Sequence, residues 1–442
     1  MNMPSIKPVV LDGSTLEGGG QLVRVALTLS AITGIPVSIH NIRANRAPHG
    51  HRSSHQSKRN DVNHNKAKFE GGLKESHLAA LKWLAYQCDA YVEGAEVGSR
   101  ECVFVPGKGS VSARSNRQET TIRQGDNSGS SNFDGNVIEL HSPGSVWLIL
   151  QALLPYLIFG RQQVQSETDT LAQEAYTELV LRGGTNVSKS MSGEYVQQVL
   201  LPTLHNIGLP KIDVEVVKRG WAGNAPAIGE VKVRVPQPPP GGFKLPPFEI
   251  TEWGYIDHIS VSIVAGSANA RHTLKAELEN TIAEHFGRDL MIVFVPGEDS
   301  GDSRRLYILL VAHTSTNRVL GRDFLGTGKR PKNATEEVRI LQGACQTIVK
   351  DLKKEIEGDH CVDEYLQDQL VVFQALASGR NVVDGWSGRD VEQREGHDEE
   401  CGDTGGSLHT RTIRWVCRKM MSRLQGGVEF EAGGICTGIS QG

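Results

Sequence analysis

The chain is short of several things. Only 6% of its 442 residues are aromatic, and they form no stripe interleaved with basic residues, which with the acidic net charge argues against a pure single-strand nucleic-acid binder. Neither sign of charge dominates: 47 Lys and Arg stand against 51 Asp and Glu, a formal net charge of −4. A blanket basic surface is therefore excluded, and any polyanion must be met by a local patch. The seven cysteines are scattered, odd in number and without a CxxC pair, which argues against a disulfide framework or zinc ribbon and for free thiols in a reducing compartment. The longest apolar run, Val146 to Phe159, is interrupted by Gln151 and Pro155 and falls short of the ~20 residues a bilayer crossing needs. It reads as a buried helix of a soluble protein with no membrane partner. The opening MNMPSIKPVV has no charged stretch followed by an apolar one, so no secretory signal is expected. No Walker A is present: GTGK (326–329) lacks the upstream glycine and is followed by Arg330, so it does not read as a phosphate loop.

What is present is enough for a folded core. Hydrophobic residues make up 38% and charged residues 22%, and the length suggests roughly two to three domains at ~150 residues each. PVVLDG (8–13) reads as a buried strand, Gln21 to Thr33 as a helix with Leu22, Val25, Ala26, Leu29 and Ile32 at helical spacing, and VSIHNIR (37–43) as a strand. Ser76 to Tyr86 reads as a helix capped by Ser76. Strands are expected at 102–107, 163–166, 214–218 and 230–236. The mixture predicts an α/β (α+β) fold with sheets covered by helices. PQPPPGGFKLPP (236–247) reads as a semi-rigid linker. Beyond it, 248–329 reads as a separate strand and helix region, and long helical patterns return from Ala334. The acidic, glycine-rich stretch from Asn381 to Ser407 reads as an exposed loop.

Four motifs carry chemistry. LEGGGQLVR (16–24) follows a strand and opens a helix. Its glycines permit close backbone approach by an anion at a helix N-terminus, and Glu17 offers a carboxylate for a divalent ion; the plain alternative is a tight turn with a capping acid. In IRANRAP (42–48), Arg43 and Arg46 can fork onto phosphate oxygens, or simply be solvated. In VDEYLQDQLVVFQALA (362–377), Tyr365, Asp368 and Gln369 sit at i, i+3 and i+4 and share one face, which can read a purine or ribose or be an ordinary polar face. In GGSLHTRTIRWVCRKM (405–420), Ile413, Val416, Cys417 and Met420 mark a helix face and His409 falls near its start. The positive end of the helix would favour a neutral, nucleophilic imidazole and bound phosphate there; the alternative is a packed or capping histidine. His49, His51, His55 and His64 fit no usual metal spacing and read as loop residues.

Taken in chain order, these segments resemble the RNA 3′-terminal phosphate cyclases. GLKESHLAAL (72–81), VEGAEVGS (92–99), LILQALLP (148–155) and RGGTN (182–186) support the resemblance, and DEYLQDQ and the glycine run are its specific parts. The resemblance implies a large domain of three repeated βαβ-type units, helices on sheets, with a smaller α/β domain inserted. On this reading 1–235 and 330–442 form the catalytic domain, 236–329 the insert, and 51–71 and 381–407 disordered insertions. It also implies a chemistry in which a histidine attacks the α-phosphate of ATP and passes AMP to an RNA 3′-phosphate. The 2′-hydroxyl then closes a 2′,3′-cyclic phosphate and expels AMP. Position by position, His409 matches the nucleophile, Glu17 the acid for Mg or Mn, and Arg24, Arg43 and Arg46 the phosphate-handling arginines. Gln151, Tyr365, Asp368 and Gln369 match the ATP pocket, with Arg24 beside it. The implied partner is RNA with a 3′-phosphate, and the implied location is the nucleus.

Departures from the family pattern stand out. Glu75 and Ser76 occupy places where an arginine and a glutamine are common, so one phosphate contact is expected to be lost. RGWAGNAPAIGE (219–230) ends in Glu230 where the family carries glycine, which would alter RNA contacts. Met191 and Ser192 stand where prolines are common, at the rim of the base pocket. A catalytically silent relative acting in ribosome assembly is the first rival reading, but that class lacks the histidine; a pure RNA-binding module is the second. The stretch His51 to Gly71, with Arg52, Lys58, Arg59, Lys66 and Lys68 and no apolar period, cannot bury enough surface to order itself. It reads either as a loop that recruits RNA or as translated intron.

Overall fold

The computed structural model describes residues 7–45, 71–107, 135–160, 176–358, 360–385 and 405–439. The first unit runs β1 (Val9–Asp12), α1 (Gly20–Thr33), β2 (Val37–His40), α2 (Glu75–Gln87), β3 (Tyr91–Glu93) and β4 (Cys102–Val105). β1 and β2 are parallel, β4 pairs antiparallel with β2 and β3, and the sheet order is β1-β2-β4-β3. The second unit has β5 (Val137–Glu139), α3 (Val146–Phe159) and β6 (Tyr176–Gly183). Then α4 (Gly193–Tyr195) passes through a π turn (Val196–Leu200) into α5 (Leu201–Asn206), followed by β7 (Asp213–Lys218) and β8 (Gly229–Pro236). Its order, β5-β6-β8-β7, and its strand directions repeat those of the first unit.

The third unit starts at β9 (Glu249–Ile250) and is then interrupted. The chain first builds β10 (Ile256–Ala265), α6 (Ala268–Phe286), β11 (Met291–Phe294), β12 (Glu298–Asp299), β13 (Leu306–Thr314), β14 (Val319–Leu325) and α7 (Ala334–Glu357). It resumes with α8 (Glu364–Leu376), β15 (Arg380–Val383), α9 (Leu408–Met421), β16 (Glu429–Phe430) and β17 (Ile435–Thr437). β9 pairs parallel with β15 and β17 lies antiparallel between β15 and β16, so the same four-stranded topology appears a third time. The fold is mixed α/β, as the pattern of elements led one to expect, and it has the three repeated units and the insert that the resemblance implied.

The insert is not where the proline stretch suggested. β9 lies beyond that stretch but belongs to the third unit. Its far boundary moves as well, because α7 packs chiefly on α6, β13 and β14 and meets the large domain at its C-terminal end, through Glu355. The reason is its apolar stripe: Leu341, Ala344, Cys345, Ile348, Val349 and Leu352 share a separate core with Leu274 and Leu278 of α6. β13 divides two cores by alternation, with Ile308 and Leu310 facing α6 and α7, and Tyr307, Leu309 and Val311 facing the large domain. Two further expectations are corrected. Lys74, not Ser76, is the N-cap of α2, and Ser76 is buried in the first turn. Asn381 and Val383 are buried in β15, and Ser407 caps α9, so the supposed loop of 381–407 is structured at both ends. Residues 386–404 and 46–70, with the four loop histidines, lie outside the described residues, as does the strand expected at 163–166. Among the described residues, no helix is long and apolar enough to cross a membrane.

Candidate active site

The glycine run is explained by what presses against it. After β1 the chain turns with positive φ at Leu16 and Gly18, and the Glu17 amide donates to Thr412 Oγ1 of α9 at 3.3 Å. A Cβ at Gly19 would collide with the Glu17 carboxylate, and one at Gly20 with the His77 imidazole. The close approach anticipated for an anion is thus made by the protein's own side chains, gathered at the start of α1.

His409 is the second residue of α9, whose N-cap Ser407 accepts from the Thr410 amide at 3.1 Å. Its side chain is 48% exposed, so one edge of the ring is open to reactants. Nδ1 lies 2.7 Å from Gln21 Oε1 and 3.3 Å from a Glu17 carboxylate oxygen. Both neighbours are acceptors, so the proton of the neutral ring sits on Nδ1 and the lone pair on Nε2. The Glu17 contact raises the His409 pKa above its usual 6.5 against the opposing effect of burial. That corrects the expectation of a dipole-neutralised histidine: a carboxylate in contact outweighs the partial charge of a helix end.

Two arginines are buried close to one another and to His77. Arg24, on α1 one turn after Gln21, donates from Nε to Gln151 Oε1 of α3 at 2.9 Å. Burial pulls its pKa down to about 10, with Glu17 opposing and Arg43 adding to the pull. Arg43, at positive φ, donates from Nη1 to the Gly72 carbonyl at 3.2 Å and is only 7% exposed, unlike a solvated surface arginine. His77 completes the group. Its Nδ1 accepts from the Lys74 amide at 3.2 Å. Burial, then Arg24, Arg43 and Lys74, push its pKa well below 6.5. The neutral ring therefore carries its proton on Nε2, which lies 3.4 Å from Arg24 Nη1. Two donors converge where neither can serve the other, an arrangement that suits an anionic oxygen.

Next to this group is a largely apolar pocket between α1, α3, α5, α8 and α9. Val25, Leu150, Leu154, Met191, Phe373 and Ile413 form its greasy wall, and Gln151, Asp368 and Gln369 are its polar groups. Pro155 also lines it and supplies no amide for the Gln151 carbonyl one turn earlier. Asp368 accepts from Ser407 Oγ at 3.0 Å and Thr410 Oγ1 at 2.5 Å. Burial raises its pKa to about 6, against those hydrogen bonds and the His409 charge. An apolar pocket with a few convergent polar groups is the usual form of a small-ligand site.

Most residues singled out in the sequence come together: Glu17, Arg24, Arg43, Gln151, Asp368, Gln369 and His409 gather around the starts of α1 and α9. Arg46 lies outside the described residues. Tyr365 does not line the pocket; its ring stands edge-on to Tyr195, centroids 6.4 Å apart, beneath the Arg322 guanidinium. Sequence reasoning missed Gln21, His77, Ser407 and Thr410. Gln21 and Arg24 were visible as two polar residues one turn apart on an apolar helix. Glu75 takes no part in the cluster and instead accepts from the His141 amide and Ser142 hydroxyl at 2.5 Å each, while Glu230 pairs with Arg182 at 2.9 Å. Among the described residues, no three His, Cys, Asp or Glu side chains gather into a metal cage. Glu17 offers a single, mostly buried carboxylate, a donor set that fits a divalent ion completed by substrate phosphates and water.

The family model for RNA 3′-terminal phosphate cyclase matches residues 15–424. The RNA 3′-terminal phosphate cyclase of Methylococcus capsulatus is 36% identical over 389 residues, 83% of this chain and 83% of the relative. That of Pyrococcus furiosus is 29% identical over 377 residues, 84% of this chain and 87% of the relative. The probable RNA 3′-terminal phosphate cyclase of Dictyostelium discoideum is 26% identical over 385 residues, covering 84% of this chain and 71% of the relative. With a match that runs from the glycine turn to the end of α9 and takes in His409, the chain belongs to the RNA 3′-terminal phosphate cyclase family.

Proposed function

We propose that this chain uses ATP to convert an RNA 3′-phosphate into a 2′,3′-cyclic phosphate, with His409 carrying AMP between the two. One arrangement supports the reading above all others: a half-exposed histidine, proton fixed on Nδ1 by Gln21 and Glu17, with the buried Arg24 acting on it and the buried Arg43 acting on Arg24 in turn. Nε2 attacks the α-phosphorus and pyrophosphate leaves. An oxygen of the RNA 3′-phosphate then attacks the same phosphorus, the bond to Nε2 breaks, and the histidine is restored. The 2′-hydroxyl next attacks the 3′-phosphorus and AMP departs. Each step is a substitution at phosphorus, for which alignment and charge neutralisation matter most.

The chain's own residues divide the work. Arg24, Arg43 and the His77 Nε2–H offset the repulsion between two polyanionic substrates. Gln151, Asp368 and Gln369 hold the nucleoside, and Gln21 aims the imidazole. A divalent ion at Glu17, when bound, neutralises phosphate charge and draws the carboxylate's influence away from His409. The test is direct. RNA with a 3′-phosphate, incubated with protein, ATP and Mg²⁺ or Mn²⁺, should acquire an end that resists phosphatase, while RNA with a 3′-hydroxyl stays unchanged. An end that remains phosphatase-sensitive with both metals would refute the proposal.

A further inference from the structure

The insert reaches the nucleotide side of the large domain through a pair of carboxylate clamps. Asp363, the N-cap of α8, is fully buried. Its Oδ1 accepts from the Tyr365 amide at 3.0 Å and the Tyr195 hydroxyl at 2.6 Å, and its Oδ2 accepts from the Gly321 amide of β14 at 3.0 Å. Glu355 of α7, also buried, repeats the pattern one residue along each strand of the contact. One oxygen pairs with Arg322 Nη2 and the other accepts from the Glu364 amide at 3.2 Å and from His360 Nε2 at 2.8 Å. Residues 321–322 of the insert are thereby fixed against residues 364–365 of α8. There is no slack at Gly321, where a Cβ would run into Tyr195 and Val199.

These clamps put the Arg322 guanidinium 4.9 Å from the centroid of the Tyr365 ring, which stands perpendicular to the Tyr195 ring at 6.4 Å. Tyr365 is still 48% exposed, so the ring keeps an open side. Arg322 is 13% exposed, and among the described residues its Nη1 is buried without a hydrogen-bond partner. Such a guanidinium is costly to bury unless the ring face repays it. Tyr365 precedes Asp368 and Gln369 by one helical turn; those two line the pocket, and the Tyr365 ring stands one turn outside it, next to the insert.

We propose that Arg322, carried by the insert, is a positioning residue that holds the Tyr365 ring and through it sets the affinity for the nucleotide. The inference rests on the nucleotide reading of Asp368 and Gln369 above, one helical turn from Tyr365. It makes the insert part of the nucleotide site rather than an appendage, and it concerns binding rather than chemistry, because the contact is with the ring and not with the reacting atoms.

The experiment measures ATP affinity by calorimetry in a His409→Asn background, which cannot turn over, together with the KM for ATP and kcat for RNA cyclisation with His409 intact. Arg322→Met should weaken ATP binding about 3- to 30-fold, the span of a partly desolvated cation–π contact, with kcat changed less than about twofold. Arg322→Lys, which keeps the charge, should recover part of the loss. Because Arg322→Met strands the buried Glu355 carboxylate, the double variant Arg322→Met/Glu355→Gln separates folding from positioning. It should regain thermal stability but not ATP affinity. Unchanged affinity in Arg322→Met, or full recovery in the double variant, would overturn the inference. If the parent protein itself failed to bind ATP, the nucleotide reading would fall first.

Discussion

Replacing Asp368 with asparagine should make the protein more stable and less active at once. Its carboxyl is buried, and folding raises its pKa from 3.8 to about 6. A carboxyl raised in this way is neutral in both states at low pH. Its ionisation is penalised once pH exceeds 3.8, and the full penalty is present above about 6. At 1.36 kcal/mol per pH unit of difference, the cost at pH 8 is about 3 kcal/mol. The substituted amide would keep an oxygen for the Ser407 and Thr410 hydroxyls, which donate to Oδ1 in the wild type, and would carry no charge. Asp368→Asn should therefore raise the melting temperature at pH 8 by about 3 °C for a chain of this size. The gain should fall to about half by pH 5 and disappear below about pH 4. The same substitution should impair self-adenylylation in the absence of RNA. Calorimetric scans at pH 8 and pH 5, paired with a labelling assay, give both readouts. A variant less stable than wild type at pH 8, with no convergence on acidification, would refute the reasoning. So would intact self-adenylylation with only cyclisation lost.

Two further substitutions probe the anion site and the nucleophile. Arg24→Met should lower kcat/KM by roughly ten- to hundredfold, the loss of a charge-assisted contact worth about 1.5–3 kcal/mol; unchanged kinetics would mean that the buried guanidinium serves packing alone. Gln21→Leu should reduce the rate of self-adenylylation with little change in the KM for ATP, since Gln21 acts on the imidazole, and equal loss in both parameters would point to a collapsed site.

Much of the molecule was legible from the sequence where the signal is local. α1, α3, α8 and α9 follow from apolar spacing and turn chemistry, and the Val146–Phe159 helix has the bounds its apolar run suggested. β3 and β5, of three residues each, are too short for any alternation to stand out. The insert boundary was misread because α7 has the stripe of any amphipathic helix, and nothing local says which sheet it will cover. The site divides in the same way. His409 and Glu17, singled out from separate motifs, meet at 3.3 Å, whereas the Gln21 contact that fixes the proton of His409 joins residues 388 positions apart in the chain and had no local signal. Tyr365, read as sharing a face with Asp368 and Gln369, meets Tyr195 and Arg322 instead, partners that no spacing rule on α8 could supply.

The central claim is that His409 carries AMP through Nε2. Protein incubated with ATP labelled at the α-phosphate, then digested and mapped by mass spectrometry under mildly alkaline conditions that preserve phosphoramidates, tests it most directly. The account predicts one acid-labile AMP adduct on the peptide containing His409, discharged on addition of RNA with a 3′-phosphate and absent from His409→Asn. An adduct on another residue, or equal labelling of His409→Asn, would contradict it.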